Sequence, residues 1–396
     1  MATGVRIALV HEWLITHGGS EEITGALGQM FPEADLFTLV ADPVPSLRAL
    51  IGERTITTSF LQRIPGAKRS HRLLLPLMPR AIESLNVSGY DLVISVSHAV
   101  AKSVRTAPSQ LHLCICCSPM RYAWDLRDQY LEESGLARGA RGVAARWLLE
   151  RLRRWDLATA GRPTRYAAIS EFIAARIERA YGRASSVVYP PVDTAYFAPG
   201  GAREAGLYVT ASRMVPYKRM PLIVEAFAAM PEKRLVVIGD GPEMQRVRAA
   251  AGKNVTIVGH QSRAALRDWL RRAQGFVFAA EEDFGIVPVE AMACGTPVVA
   301  FGKGGVRETV VTGNQLAAKR NQPAGTGNQP AGTGVFFEEQ TVTAIVGGVR
   351  ALEQELRAGL ITEASCRAQA ERFSVAAFRA GVRREIEALG LRIGGV

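Results

Sequence analysis

Short runs of aliphatic and β-branched residues recur along the chain, separated by turn signals and by stretches with helical periodicity. They lie at Val5–Val10, Asp91–Val96, Leu111–Cys117, Arg165–Ile169, Leu207–Ala211, Leu235–Gly239, Val255–Val258, Gly275–Ala279 and Pro297–Phe301. Strands alternating with helices predict parallel sheets. Many of the runs are almost continuously apolar, as expected of strands covered by helices on both faces. Tyr189-Pro190-Pro191-Val192-Asp193, followed by Pro199-Gly200-Gly201, breaks the pattern just before a fresh strand. A linker over residues 191–201 is therefore expected between an N-terminal domain of residues 1–190 and a C-terminal one of residues 202–374, with a helix in 375–396. Ligands of doubly wound sheets sit outside the carboxyl ends of the strands, so two such domains would face one another across a cleft lined by strand-to-helix loops.

Composition narrows the function without choosing it. With 396 residues, 48% hydrophobic and 21% charged, the chain is long enough for two cores and is not of the disordered class. No apolar run approaches the ~18 residues that cross a bilayer, and Val5–Val10 meets His11 and Glu12 before any cleavage signal, so a cytoplasmic protein is expected. Five cysteines, Cys114, Cys116, Cys117, Cys294 and Cys366, lack the paired spacing of a disulfide framework or a zinc site. A net charge of +11 favours an anionic partner: nucleic acid, acidic lipid or a phosphorylated small molecule. There is no RNA-binding signature and no aromatic-basic stripe, and nucleic acid is not expected. Arg63, Lys68, Arg69, Arg72 and Arg80 surround Leu73, Leu74, Leu75, Leu77 and Met78 with no intervening acid. That mixture suits either an anionic membrane surface or a helix with its leucines in the core. The stretch from Arg138 to Arg154, with Trp147 inside it, poses the same choice.

Two segments carry chemistry. In Glu282-Asp283-Phe284-Gly285-Ile286-Val287-Pro288-Val289-Glu290, Pro288 fits the first turn of a helix and Gly295 its end. Glu282 then precedes the helix and Glu290 lies in its first turns. Free amides at the helix start, around Phe284, Gly285, Ile286 and Val287, suit an anion such as a diphosphate. Glu290 either accepts hydrogen bonds from paired ribose hydroxyls or simply solvates the helix. In Ser212-Arg213-Met214-Val215-Pro216-Tyr217-Lys218-Arg219, Arg213 and Lys218 straddle a turn at Pro216. Two fixed cations there would neutralise a leaving diphosphate, whose charge grows in the transition state of sugar transfer.

These residues resemble the retaining glycosyltransferases of family 4, which have the GT-B fold of two Rossmann-like domains. The likeness covers nearly the whole chain and includes Gly18-Gly19-Ser20-Glu21, the Arg213/Lys218 pair, Ile238-Gly239-Asp240-Gly241-Pro242-Glu243 and the Glu282/Glu290 motif. Met120-Arg121-Tyr122-Ala123-Trp124-Asp125 and Tyr189-Pro190-Pro191-Val192-Asp193 look like bacterial mannosyltransferases that build exopolysaccharide and O-antigen repeats on polyprenyl diphosphate. The resemblance implies a GDP-mannose donor, a lipid-linked oligosaccharide acceptor, peripheral association with the inner face of the cell membrane, and no metal or other cofactor; no Asp-x-Asp motif stands in the N-terminal half. It implies donor-diphosphate contacts for Arg213 and Lys218, a ribose contact for Glu290, and a place beside the donor sugar for Glu282. Gly18 and Gly19 match a loop whose backbone approaches the substrates. It also implies that the C-terminal helix braces the first domain. A UDP-sugar donor or a non-catalytic scaffold of an assembly complex are the alternatives. Where many relatives have a histidine, this chain has Cys117, which cannot reproduce imidazole hydrogen bonding. His98, ending a neighbouring strand, either orients donor or acceptor or is a structural histidine. His17, beside the glycine loop, is the next candidate.

Overall fold

The computed structural model describes residues 5–124, 131, 139–313 and 332–392. Asp125, Arg138 and the heptapeptide of residues 321–327 with its tandem copy as far as residue 331 lie outside the described residues. The chain divides into two compact units, one of residues 1–191 with 378–396 and one of residues 192–377.

The first unit is built on a sheet of β1 (Ile7–Leu14), β2 (Asp35–Ala41), β3 (Ile56–Thr58), β4 (Leu92–Ser97), β5 (Leu111–Cys116), β6 (Arg165–Ala168) and β7 (Ser186–Val187). Every pairing is parallel, in the order β3-β2-β1-β4-β5-β6-β7. The second unit repeats the plan with β8 (Glu204–Ala211), β9 (Arg234–Ile238), β10 (Val255–Gly259), β11 (Ala273–Phe278), β12 (Val298–Phe301) and β13 (Gly334–Phe337). Its strands run parallel in the order β10-β9-β8-β11-β12-β13. All nine apolar runs became strands. Four further strands, β2, β3, β7 and β13, were not expected. Residues β1, β4 and β12 span are buried along their whole length, because helices cover both faces and no polar side remains to be solvated.

In each sheet the strand order reverses once, between β1 and β4 in the first unit and between β8 and β11 in the second. In doubly wound sheets the loops leaving the carboxyl ends of such strands diverge, and that is where ligands sit.

Residues 192–201 belong to the second unit: Val192 and Phe197 are buried, and Val192 bridges to Ser374. The helix Val375–Ala388 packs within the first unit from residue 378 on, where Glu385 pairs with Arg165 and Arg379 donates to Gln29.

A buried ion pair anchors the loop after β4. Lys102 Nζ lies 3.0 Å from Asp156 Oδ1, and both side chains are at most 1% exposed. Asp156 Oδ2 accepts from Trp124 Nε1 and Tyr181 OH, each at 2.8 Å, while Lys102 Nζ also donates to the Asp156 carbonyl at 2.8 Å. The burial of two charges is tolerated because each is paired and further hydrogen-bonded. Lys102→Met should therefore destabilise the protein by about 3–5 kcal/mol in urea denaturation, since Asp156 is left charged and buried. Adding Asp156→Asn should recover part of that loss; a double variant no better than the single would sink this account.

Candidate active site

The second unit assembles its polar residues where the strand order reverses. After β8 the chain passes through Ser212 and Arg213 into a single 3₁₀ turn, Pro216–Lys218, and then Arg219 adopts left-handed backbone (φ 54°) before the helix Met220–Ala228. This tight passage turns Lys218 back toward β11. Its ammonium pairs with Glu282 Oε1 and lies 5.8 Å from the Phe278 ring centroid. Arg213 stands exposed, with Nη2 3.5 Å from the Tyr217 hydroxyl. Of the expected pair of cations, Lys218 is thus held on the acid, and Arg213 is not brought onto it.

The Arg213 loop is laced to the loop after β9. Met214 N donates to the Asp240 carbonyl at 2.8 Å and Glu243 N to the Met214 carbonyl at 2.9 Å. Gly239 and Gly241 have φ of 130° and 150°, and a Cβ at either would stand 1.8 Å from the Ser212 carbonyl oxygen or 2.6 Å from that of Met214. Glycine is required there by close backbone approach.

Glu282 is fixed by backbone in the same manner. Gly305 N donates to the Glu282 carbonyl at 2.8 Å, and Glu282 bridges to Gly304. The helix Ile286–Ala293 starts from Gly285 (φ 87°), contains Pro288, and is followed by Gly295 (φ 80°), as the residue pattern predicted. Phe284 and Gly285 are buried, Ile286 and Val287 are half-buried, and Glu290 is half-buried in the middle of the helix.

The first unit places a second group at its own strand-order reversal. Glu12, near the end of β1, is fully buried, and its Oε1 accepts from the backbone N–H of His98, Ala99, Val100 and Ala101 at 2.8–3.2 Å. Ser97 Oγ adds a fifth donor at 3.2 Å. Oε2 lies 3.1 Å from Nδ1 of His98, whose side chain is 22% exposed. Burial opposes the Glu12 charge, but the His98 ring and the surrounding amides overcome it and hold the carboxyl far below the usual range. Burial likewise pulls His98 down, yet Glu12, with Glu21 beyond it, raises the imidazole above its ordinary 6.5. His11, Glu12 and His98 have donor atoms within 4.8 Å of one another. Oε1 of Glu12 is engaged by amides, whereas Oε2, His98 Nδ1 and His11 Nε2 are buried without a hydrogen-bond partner.

Gly18 has extended backbone (φ −154°), and Gly19 opens the helix Gly19–Met30. Gly18 is constrained by space, since a Cβ would stand 3.1 Å from Glu21 Oε2. His17 Nε2 contacts Glu22 Oε1 at 2.7 Å. Cys117 is buried, as are Cys114 and Cys116 beside it. His112 contacts Ser95 Oγ at 2.8 Å, and burial together with Lys102 and Arg162 lowers it to about 3. Glu12 was missed, although a lone acid closing an apolar run was a visible sign of a buried charge. Gly304 and Gly305 were missed for want of any local signal.

The fold has full-length counterparts. Anabaena HepE in complex with UDP superposes with a TM-score of 0.67 at 16% identity, covering 97% of this chain and 100% of that one. Sucrose-phosphate synthase from Thermosynechococcus elongatus gives 0.71 at 18%, covering 97% and 99%. The chain therefore has the GT-B fold of two parallel-sheet α/β domains. Residues 206–328, within the second unit, match the family model described as Glycosyl transferases group 1. In sequence, D-inositol 3-phosphate glycosyltransferase of Kribbella flavida is 35% identical over 156 residues, 32% of this chain and 37% of that protein. The GDP-mannose-dependent alpha-(1-6)-phosphatidylinositol monomannoside mannosyltransferase of Mycolicibacterium smegmatis is 30% identical over 175 residues, 37% of this chain and 46% of that protein. The chain thus spans less than half the length of these two relatives.

A glycine comparison tests the packing around Glu282. Gly304 has φ 78°, and its Cβ would meet the Glu282 carbonyl at 2.3 Å, whereas Gly259 has φ 70° and open space. Gly259→Ala should cost only about 1 kcal/mol of backbone strain. Gly304→Ala should cost clearly more and displace the Glu282 loop, as read by denaturant midpoints and by the affinity for a sugar nucleotide. Equal costs for the two would contradict the packing argument.

Proposed function

We propose that the protein is a retaining hexosyltransferase that moves mannose from GDP-mannose to a polyprenyl-diphosphate-linked oligosaccharide in cell-surface polysaccharide assembly. The observation that carries this reading is the placement of Arg213, Lys218 and Glu282 on the two loops that diverge at the β8/β11 reversal, inside the stretch that matches group 1 glycosyl transferases. Lys218 is balanced by Glu282 when no ligand is bound. An arriving diphosphate offers it a second, more highly charged partner, and Arg213 stands exposed on the same loop to share that load. As the bond from the anomeric carbon to the diphosphate oxygen breaks, negative charge grows on the leaving group, and cations already in place stabilise it without reorganisation. The amides of Phe284, Gly285, Ile286 and Val287 at the helix start add to that field. Glu290 takes the ribose hydroxyls, and Glu282 stands beside the sugar.

The mannose donor is supported by the resemblance of Met120–Asp125 and Tyr189–Asp193 to bacterial mannosyltransferases and by the mycolicibacterial relative, named as GDP-mannose-dependent. No metal is assigned, because Arg213 and Lys218 fill the charge-neutralising role that a divalent ion would otherwise serve. Among the described residues no helix is long and apolar enough to cross a membrane. A surface contact with anionic lipid is supported by Leu73, 79% exposed, and Leu77 among Arg63, Lys68, Arg69, Arg72 and Arg80. On the helix Gly139–Ala158, Val143, Trp147 and Arg151 are exposed at four-residue spacing and so share one face. Leu75 and Met78 are buried in the core, and Leu74 is partly buried against it.

Purified protein with a panel of GDP- and UDP-sugars and a lipid-linked acceptor should transfer mannose from GDP-mannose, in the presence of EDTA, with retention seen by NMR. Lys218→Ala and Glu290→Ala should each lower transfer at least ~100-fold. Preference for a UDP-sugar would correct the donor, and absence of transfer from every donor would leave the scaffold reading. In flotation with anionic liposomes at low salt the protein should rise with the vesicles, and a Leu73→Ser/Trp147→Ser variant should rise less.

A further inference from the structure

We propose that His11, Glu12 and His98 bind one divalent transition-metal ion, of which Zn²⁺ is the type, through two imidazole nitrogens and one carboxylate oxygen. The inference goes beyond the transferase reading and does not depend on it, since every ligand belongs to the first unit and none to the donor motifs. It also departs from the absence of a metal that the family resemblance implies. Its basis is a convergence of atoms. His11 Nε2, Glu12 Oε2 and His98 Nδ1 are all buried without a hydrogen-bond partner. These side chains bring their ligand atoms within 4.8 Å of one another, and among the described residues no other group of three His, Cys, Asp or Glu side chains does so. Buried polar atoms left unpaired cost free energy, so three of them gathered at one point call for a shared partner.

Each ligand is already held for that role. His11 Nδ1 lies 2.9 Å from the Trp13 carbonyl, which can only accept, so the ring proton sits on Nδ1 and Nε2 keeps its lone pair. Glu12 Oε1 accepts from the backbone N–H of His98, Ala99, Val100 and Ala101, which fixes the carboxylate and leaves Oε2 for an ion. Trp13 meets the His98 ring edge-on at 4.8 Å between centroids and restricts its rotation. Outer contacts of this kind orient the ligands of metal sites. Oε2 and His98 Nδ1 stand 3.1 Å apart without the alignment of a hydrogen bond. That spacing is close to the edge of about 3.3 Å expected of a tetrahedron with metal–ligand bonds of about 2.0 Å. A shared water is the competing occupant. With the His98 ring proton on Nε2, all three atoms are electron-pair donors; one water has two protons and leaves one atom bare, whereas one cation takes all three. Two imidazoles and a carboxylate are a zinc donor set with a fourth position for water, and His98, 22% exposed, is the ligand that solvent reaches. A bound ion ties the end of β1 to the turn after β4 and balances a buried carboxylate.

The test titrates the full chain, stripped with EDTA and dialysed, with Zn²⁺ against a chromophoric chelator. One ion per chain should bind with a Kd of ~1 μM or tighter. Glu12→Gln keeps an oxygen for the four amides and puts an amide nitrogen, which does not ligate, in place of Oε2. It should weaken binding at least ~100-fold, since loss of an outer-shell partner alone costs ~10–100-fold. His98→Ala removes the ligand nearest solvent and should weaken binding to the same degree, so the test stands even if the buried Glu12→Gln fails to fold. His260→Gln, at an exposed histidine of the second unit, should change nothing. Co²⁺ in place of Zn²⁺ should give the intense visible absorption of a tetrahedral site, and His98→Ala should lose it. Zn²⁺ at ~100 times its Kd should raise the Tm of the wild type by about 5 °C and leave that of His98→Ala unmoved. Absence of uptake at high micromolar Zn²⁺, or uptake that both variants leave unchanged, would overturn the proposal and leave a water as the shared partner. A wild type that binds Zn²⁺ here but moves no sugar sinks the transferase reading alone, and one that transfers sugar but takes up no ion sinks this inference alone.

Discussion

Parallel strands that leave their sheet in opposite directions cannot share the space beyond their carboxyl ends, and that constraint shapes both halves of this chain. In the first unit the reversal falls between β1 and β4, in the second between β8 and β11. The residues with unusual polar surroundings gather at those two places: Glu12 and His98 in one, Lys218 and Glu282 in the other. Neither pair is close in sequence, the partners standing 86 and 64 positions apart. Each depends on the sheet to bring two strand ends side by side.

The two pairs solve the same electrostatic problem differently. Glu12 is wholly buried, and its charge is tolerated because one oxygen collects four amides from the turn after β4 while the other faces an imidazole. The turn is therefore folded around the carboxylate, and the Lys102–Asp156 pair, one residue past that cluster, fixes its far end. Such a site is rigid and insensitive to salt. Lys218 and Glu282 are partly exposed, and their pairing is exchangeable.

Much of this was legible in the residues. Every apolar run read as a strand is one, and the start and stop of the helix Ile286–Ala293 follow from Pro288 and Gly295. The missing strands have local reasons. β3 and β7 have three and two residues, too few to show a period. The six apolar or near-apolar positions of β2 are hemmed by Pro32, Glu33 and Asp35 on one side and by Asp42 and Pro43 on the other, so they read equally well as a loop. β13 begins on Gly334, at the end of the duplicated tract, where a Cβ would meet the Val298 carbonyl at 2.1 Å. The glycine that hides the strand from a propensity argument is the one that lets it approach β12. The same holds for Gly304 beneath Glu282: its necessity comes from a backbone more than twenty residues away, and no local pattern announces it.

Cys117 gains a different meaning beside His98. A thiol after β5 in place of an imidazole removes one hydrogen-bonding group from the carboxyl end of the first sheet, and its burial takes it further from any role with a ligand. Cys117 N donates to the Ser97 carbonyl at 2.7 Å, which ties the end of β5 to the residue that precedes His98. The β5 end thus serves as a backbone support for the β4 end, just ahead of His98, whose side chain is 22% exposed.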